Sequence, residues 1–268
     1  MYNVSIPSPG FGTFRFKGTS LQQAIQHALE AGFRHIDTAQ VYGNEKDVGQ
    51  AIADSDVSRS DIFLTTKVWT DNFSKDKFLP SVEQSLEDLQ TDYVDLLLIH
   101  WPSPEGKVPM EEYLSELVSA MHKGYTRAIG VSNFTAPLLE QAFAVIGQEN
   151  VTCNQIEIHP QFQNSDMVNF CRSKGIEVVG YMPLGNGNVM QDKILQKIAK
   201  EHDVSPASIA IAWQIQHGII PIPASTSKEH IHSNFEAKGI RLTAEQMDKI
   251  TKLDTNKRLI DPDFAPHW

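Results

Sequence analysis

An α/β fold closed into a single (β/α)8 barrel is predicted by three observations. A short apolar run followed by a polar-capped amphipathic segment recurs along the chain. No linker or change of composition divides residues 1–268, which therefore read as one domain. Polar or aromatic residues stand just past each predicted strand, where such a barrel builds its site. An open doubly wound sheet is the rival. Eight roughly equal units favour closure, and no G-x-G-x-x-G follows an early strand.

Residues 10–14 are the first predicted strand, and Gly10 and Gly12 admit close backbone approach. Ser20 is expected to cap a helix with Leu21, Ala24, Ile25, Ala28 and Leu29 on one face, ended by Gly32. Residues 33–36 form the second strand, and Asn44 is expected to cap a helix running to Ala53. The third strand covers 61–67. Ser74 then opens a helix to about Leu89, with Phe78, Val82, Leu86 and Leu89 on one face. Residues 93–100 are nearly all apolar, as suits a parallel strand buried on both sides.

The second half repeats the scheme. A helix over 110–123 is stopped by Gly124, before a strand at 128–131 and a helix at 135–146. A strand at 151–156 precedes a helix at 165–174, stopped by Gly175, and a strand at 176–181. Helices at 192–201 and 205–217 follow, the second opening on Ser205-Pro206. The eighth strand covers 218–222, and late helices cover 228–234 and 244–253. The Pro-rich tail, 259–268, is expected to wrap the surface.

Composition narrows the function. With 41% hydrophobic residues the chain can bury a large core, and a net charge of −10 argues against binding nucleic acid through its overall field. Its 2 cysteines, Cys153 and Cys171, have no metal-like spacing and fit a reducing cytoplasm better than a disulfide framework. Residues 1–7 carry no signal-peptide pattern, and no apolar run approaches the ~18 residues of a membrane span. No metal is expected: His230-Ile231-His232 points its histidines to different sides of a helix.

The strand exits carry the chemistry. Asp37 ends the second strand and Tyr42 follows in its loop, Lys67 ends the third, and His100 ends the fourth. Taken singly, these read as ion-pair, solvated or capping residues. Together they make a proton donor for reducing a carbonyl. An ammonium beside the phenol is expected to lower its pKa, a carboxylate to hold the ammonium, and a histidine to orient the carbonyl oxygen. Phe14, Trp69 and Trp101 are expected to wall an apolar substrate pocket.

Several motifs in order carry a wider likeness. Gly12-Thr13-Phe14, Ile36-Asp37-Thr38-Ala39, Tyr42-x-Asn44-Glu45, Thr66-Lys67-Val68-Trp69, Leu98-Ile99-His100-Trp101-Pro102, Gly130-Val131-Ser132-Asn133-Phe134 and Asn154-Gln155-Ile156-Glu157 resemble the aldo-keto reductase family. The likeness runs through nearly the whole chain and is specific as a set. The compact length is similar to bacterial members that reduce 2,5-diketo-D-gluconate or methylglyoxal. The resemblance implies Tyr42 as general acid, Lys67 and Asp37 as its tuning pair, and His100 as the carbonyl-orienting residue.

By the same resemblance Ser132, Asn133 and Gln155 hold a nicotinamide carboxamide and Tyr181 stacks on its ring. Thr13, Leu184, Ser225, Thr226 and Asn234 contribute further cofactor contacts. The family favours NADPH, and NADPH is expected here over NADH. Family members often read Ile-Pro-Lys-Ser after the last strand, with Arg six residues on. This chain has Ile222-Pro223-Ala224-Ser225, with His230 in place of the Arg, which removes fixed charge from the expected 2′-phosphate contacts. Lys228 and a helix start remain for the anion. Met182, where a serine is common, is another departure. A small carbonyl compound is the expected partner of a monomer. The alternative is an NADP(H)-binding sensor barrel with little turnover.

Overall fold

The computed structural model describes residues 4–267; Met1, Tyr2, Asn3 and Trp268, the ends of the predicted leader-free segment and of the tail, lie outside the described residues. Eight strands form one sheet in sequence order: β1 (Phe11–Gly12), β2 (His35–Asp37), β3 (Phe63–Val68), β4 (Val94–Ile99), β5 (Thr126–Ser132), β6 (Val151–Glu157), β7 (Glu177–Tyr181) and β8 (Ile219–Pro221). Every neighbouring pair is parallel. Two backbone bonds close the ring, from Gly10 N to Pro221 O and from Gly12 N to Pro223 O, both 3.0 Å. The seam needs glycine, because a Cβ on Gly12 would lie 2.8 Å from the Ile222 carbonyl. The expected (β/α)8 barrel is the observed fold.

The helices are α1 (Gly18–Ala31), α2 (Glu45–Ala53), α3 (Phe78–Asp88), α4 (Met110–His122), α5 (Ala136–Ile146), α6 (Ser165–Ser173), α7 (Lys193–His202), α8 (Pro206–Gln216), α9 (Lys228–Glu236) and α10 (Ala244–Thr251). Their apolar faces pack on the outside of the sheet. On β4, Leu97 and Ile99 join that outer core while Leu96 and Leu98 join the inner one, so the strand is apolar but for Asp95 because both faces are buried. The inner core also holds Phe63, Cys153, Val179 and Ile220. Each buried Leu or Ile contributes roughly 1.5–3 kcal/mol.

Three predicted caps differ. Helix α1 begins at Gly18, and the Ser20 hydroxyl donates to Lys17 O within its first turn. Helix α3 begins at Phe78 rather than Ser74, whose carbonyl closes a preceding turn by accepting from Lys77 N and Phe78 N. Asn44 does precede α2, but its side chain caps nothing. Its amide donates to Thr13 O and Phe16 O, and its oxygen accepts from Thr38. The contact between loops outweighs the local cap. Asp192 and Ser205 do cap α7 and α8.

Candidate active site

The residues predicted at the strand exits meet in the barrel mouth. Period-2 alternation on β3 sends Lys67 inward and Thr66 outward toward α2. The Lys67 ammonium, fully buried, donates to Asp37 Oδ1 at 2.5 Å and to Thr38 O at 2.7 Å. Asp37 Oδ2 accepts from Gln155 Nε2 at 2.7 Å. Both carboxylate oxygens are therefore engaged, which makes Asp37 an anchor rather than a base.

Tyr42 sits on a one-turn 3₁₀ helix (Gln40–Tyr42) ended by Gly43 at φ 59°, a conformation that suits glycine. Its ring lies 5.0 Å from Phe14 and 5.7 Å from His100, with the Lys67 ammonium 5.2 Å from its centroid. His100 is further held edge-on by Trp69 at 5.2 Å. Burial and the Asp37 charge push the Tyr42 phenol well above its ordinary range. This corrects the expectation of a phenol depressed by Lys67. The ammonium is committed to Asp37 and Thr38, and burial itself pulls Lys67 down despite Asp37. Burial, then the Lys67 charge, pushes His100 well below its usual value. The site at neutral pH thus presents a protonated phenol beside a neutral imidazole, an acid and a hydrogen-bonding group.

These groups open into a cavity of about 890 Å³. Its lining includes Thr13, Phe14, Trp69, Trp101, Ser132, Asn133, Gln155, Tyr181 and Leu184, all predicted as site residues. The amides form a network. Asn133 Nδ2 donates to His100 O and to Ser132 Oγ, both at 3.0 Å, and Tyr181 OH donates to Asn133 Oδ1 at 2.8 Å. Ser132 Oγ donates to Gln155 O at 2.8 Å, and Thr13 Oγ1 to Asp37 O at 3.0 Å. Ser225, Thr226 and Asn234 do not line this cavity; Ser225 Oγ accepts from Ser227 N ahead of α9. Lys228 pairs with Glu30 at 2.9 Å on the surface, and His230 and His232 are exposed. A more open groove of about 1160 Å³ at the other end of the barrel holds none of these residues.

Sequence reasoning missed part of the wall. The tail does more than wrap the surface: Leu259, Ile260, Asp261, Pro262 and Phe264 line the cavity. Phe264 stands edge-on to Trp101 at 5.6 Å and to Trp69 at 6.1 Å. Buried Glu157 holds the segment, accepting from Leu259 N and Ile260 N at 2.8 Å each, with His159 Nε2 at 3.0 Å. Glu157→Gln removes charge-assisted acceptance and is expected to raise KM for a carbonyl substrate about threefold to tenfold at unchanged cofactor Kd, measured by steady-state kinetics and titration. Across the mouth, Arg15 Nη1 donates to Asn186 Oδ1 at 3.1 Å, and Val41 stands 46% exposed on the rim. The Arg15 bridge had a faint sequence signal in its place beside Phe14, whereas the tail had none.

Comparison with known proteins places the chain in a family. The aldo/keto reductase family model matches residues 10–255. The chain is 46% identical to methylglyoxal reductase DkgB of Escherichia coli O157:H7, over 99% of this chain and 100% of that one. It is 35% identical to glyoxal reductase of Bacillus subtilis, over 96% and 92% of the two chains. A solved structure provisionally named 2,5-diketo-D-gluconic acid reductase B superposes with a TM-score of 0.94 at 38% identity, covering 98% of this chain and 94% of that one. With its barrel, its strand-exit site and these relatives, the chain belongs to the aldo/keto reductase family, whose oxidoreductase chemistry is the reduction of carbonyl groups.

Proposed function

We propose that this protein reduces short, neutral 2-oxoaldehydes of the methylglyoxal kind to hydroxy compounds with NADPH. The observation that carries the reading is the pairing of Tyr42 and neutral His100 above a Lys67–Asp37 pair, at the floor of one cavity with an amide-lined wall. Asn133, Ser132 and Gln155 are complementary to a carboxamide, and Tyr181 beside them offers an aromatic face. NADPH supplies the hydride when bound. Tyr42 gives its proton to the carbonyl oxygen, and His100 donates a hydrogen bond that fixes that oxygen. His100 Nδ1 is buried with no hydrogen-bond partner among the described residues, which leaves Nε2 as the nitrogen for the carbonyl oxygen in this reading. Asp37 and Lys67 hold charge beneath the phenol without changing protonation.

The charged residues lining the cavity are Arg15 at its rim, Asp37 and Asp261, beside apolar Phe14, Val41, Trp69, Trp101, Ile260 and Phe264. Arg15, the cation among them, is engaged with Asn186 and Phe14 at the rim, so a carboxylate carried deeper would face no cation of the lining; this lining supports a neutral substrate over a keto-sugar acid. Mixing protein, NADPH and methylglyoxal should consume NADPH absorbance. Tight NADPH binding with no turnover across a panel of aldehydes and ketones would instead favour the sensor reading.

The family generally uses NADPH, and the 2′-phosphate is the less well-provided end here, with Ala224 and His230 at the expected positions. Ala224→Lys is expected to tighten NADPH about fivefold to tenfold and NADH by less than about twofold, read as Kd by fluorescence titration. Equal effects on both would locate the phosphate elsewhere. No helix among the described residues is long and apolar enough to cross a membrane. Both cysteines are buried and free, in keeping with a reducing compartment such as the cytoplasm.

A further inference from the structure

The position of Tyr42 is not set by its own side chain. Its phenol makes ring contacts but no hydrogen bond to a described residue, so its height in the cavity is inherited from the turn that carries it. The side chains on the two sides of that turn converge on one hydroxyl. Gln40 Nε2 donates to Ser85 Oγ at 3.2 Å and to Ser81 O and Oγ at 3.1 Å each, and the Ser85 hydroxyl donates to Glu45 Oε2 at 3.1 Å, with Ser81 O its second acceptor at 3.2 Å. Each partner then reaches β3. Glu45 Oε1 accepts from Thr66 Oγ1, next to Lys67, at 2.5 Å. Gln40 Oε1 accepts from Trp69 N at 2.9 Å, just past Lys67. Ser85 lies on α3, buried at 2% exposure among Phe78, Val82 and Leu86, where a polar side chain gains nothing from packing. Burial pushes the Glu45 carboxyl up to about 7, and the Thr66 and Ser85 hydroxyls offset part of the cost of placing it here.

We propose that Ser85, bridging Gln40 and Glu45, is a positioning residue that registers the Tyr42 turn against the Lys67 strand for carbonyl reduction. Ser85 touches neither substrate nor cofactor and acts through the turn. The inference rests on Tyr42 being the acid. Small misplacements at a reacting centre have large effects on rate, about a hundredfold for 1 Å.

The test is Ser85→Ala, a volume-neutral change on a helix. The expected result is a kcat for methylglyoxal lowered about tenfold with KM for NADPH within about twofold, and an increased primary isotope effect on kcat with C4-deuterated NADPH. Melting temperature should stay within a few degrees. Gln40→Ala, which also removes the acceptor of Trp69 N, should lower kcat at least as far with the same rise in isotope effect, and the double variant should fall short of the sum of the two, since both cut the Gln40–Ser85 link. Ser85→Thr, which keeps the hydroxyl, should restore kcat and the isotope effect. A folded Ser85→Ala protein with wild-type kcat and isotope effect overturns the brace. If Ser85→Ala does not fold, unchanged kinetics in Gln40→Ala overturn it equally. Full turnover in Tyr42→Phe sinks the underlying reading instead, and the brace with it.

Discussion

Tyr42→Phe is expected to bind NADPH within about twofold of the parent while kcat falls by about 10²–10⁴, the usual worth of a positioned acid. Phenylalanine keeps the ring against Phe14 and His100 and deletes only the hydroxyl. No hydrogen bond to a described residue is broken, so the fold should not notice. The loss therefore reads the proton directly. Burial and Asp37 hold this phenol protonated, and its proton is lost only to a stronger base in contact with it, such as an oxygen taking up negative charge. Titration of cofactor fluorescence and steady-state turnover of methylglyoxal separate binding from chemistry. Turnover near the parent value in this variant would assign the acid to another group.

Lys67→Met should be costly twice over. It leaves Asp37, 1% exposed, as a buried carboxylate whose remaining side-chain donor is the Gln155 amide. Breaking a buried pair from one side costs about 3–5 kcal/mol, far more than the pair contributes net. Urea unfolding should show that loss, and kcat should fall by about 10² as the phenol loses the charge balance beneath it. The double variant Lys67→Met, Asp37→Asn removes the orphaned charge. It should recover much of the stability and little of the turnover. Recovery of both would mean that the pair serves the fold alone. A stability loss below about 1 kcal/mol in the single variant would mean that water reaches Asp37.

The clustering of Asp37, Tyr42, Lys67 and His100 was readable because polar residue types at strand exits mark the end where a barrel opens. Lys67 is the first charged residue on β3, and His100 is the first polar residue after the apolar stretch of β4. Helix ends were less readable. Ser20, Ser74 and Asn44 are all competent caps, but each spends its hydrogen-bonding capacity in a nearby turn or loop. Such competition is decided by distances that adjacent residues do not encode. The tuning of Tyr42 was misread for the same reason. A lysine on the next strand suggests a nearby charge, yet the effect depends on which atoms the ammonium bonds.

Periodicity, strand-exit chemistry and motif order, all local properties of the chain, determined the barrel and the reaction class and pointed to Asp37, Tyr42, Lys67 and His100 as one cluster. Only the tertiary structure decided that the tail, held on Glu157, forms one wall of the cavity, that Arg15 meets Asn186 over the mouth, and that Ser85 joins both sides of the Tyr42 turn. Those contacts join residues far apart in the chain. A single buried acceptor or hydroxyl leaves no periodic trace, because its value depends on partners that the closing of the ring brings within about 3 Å.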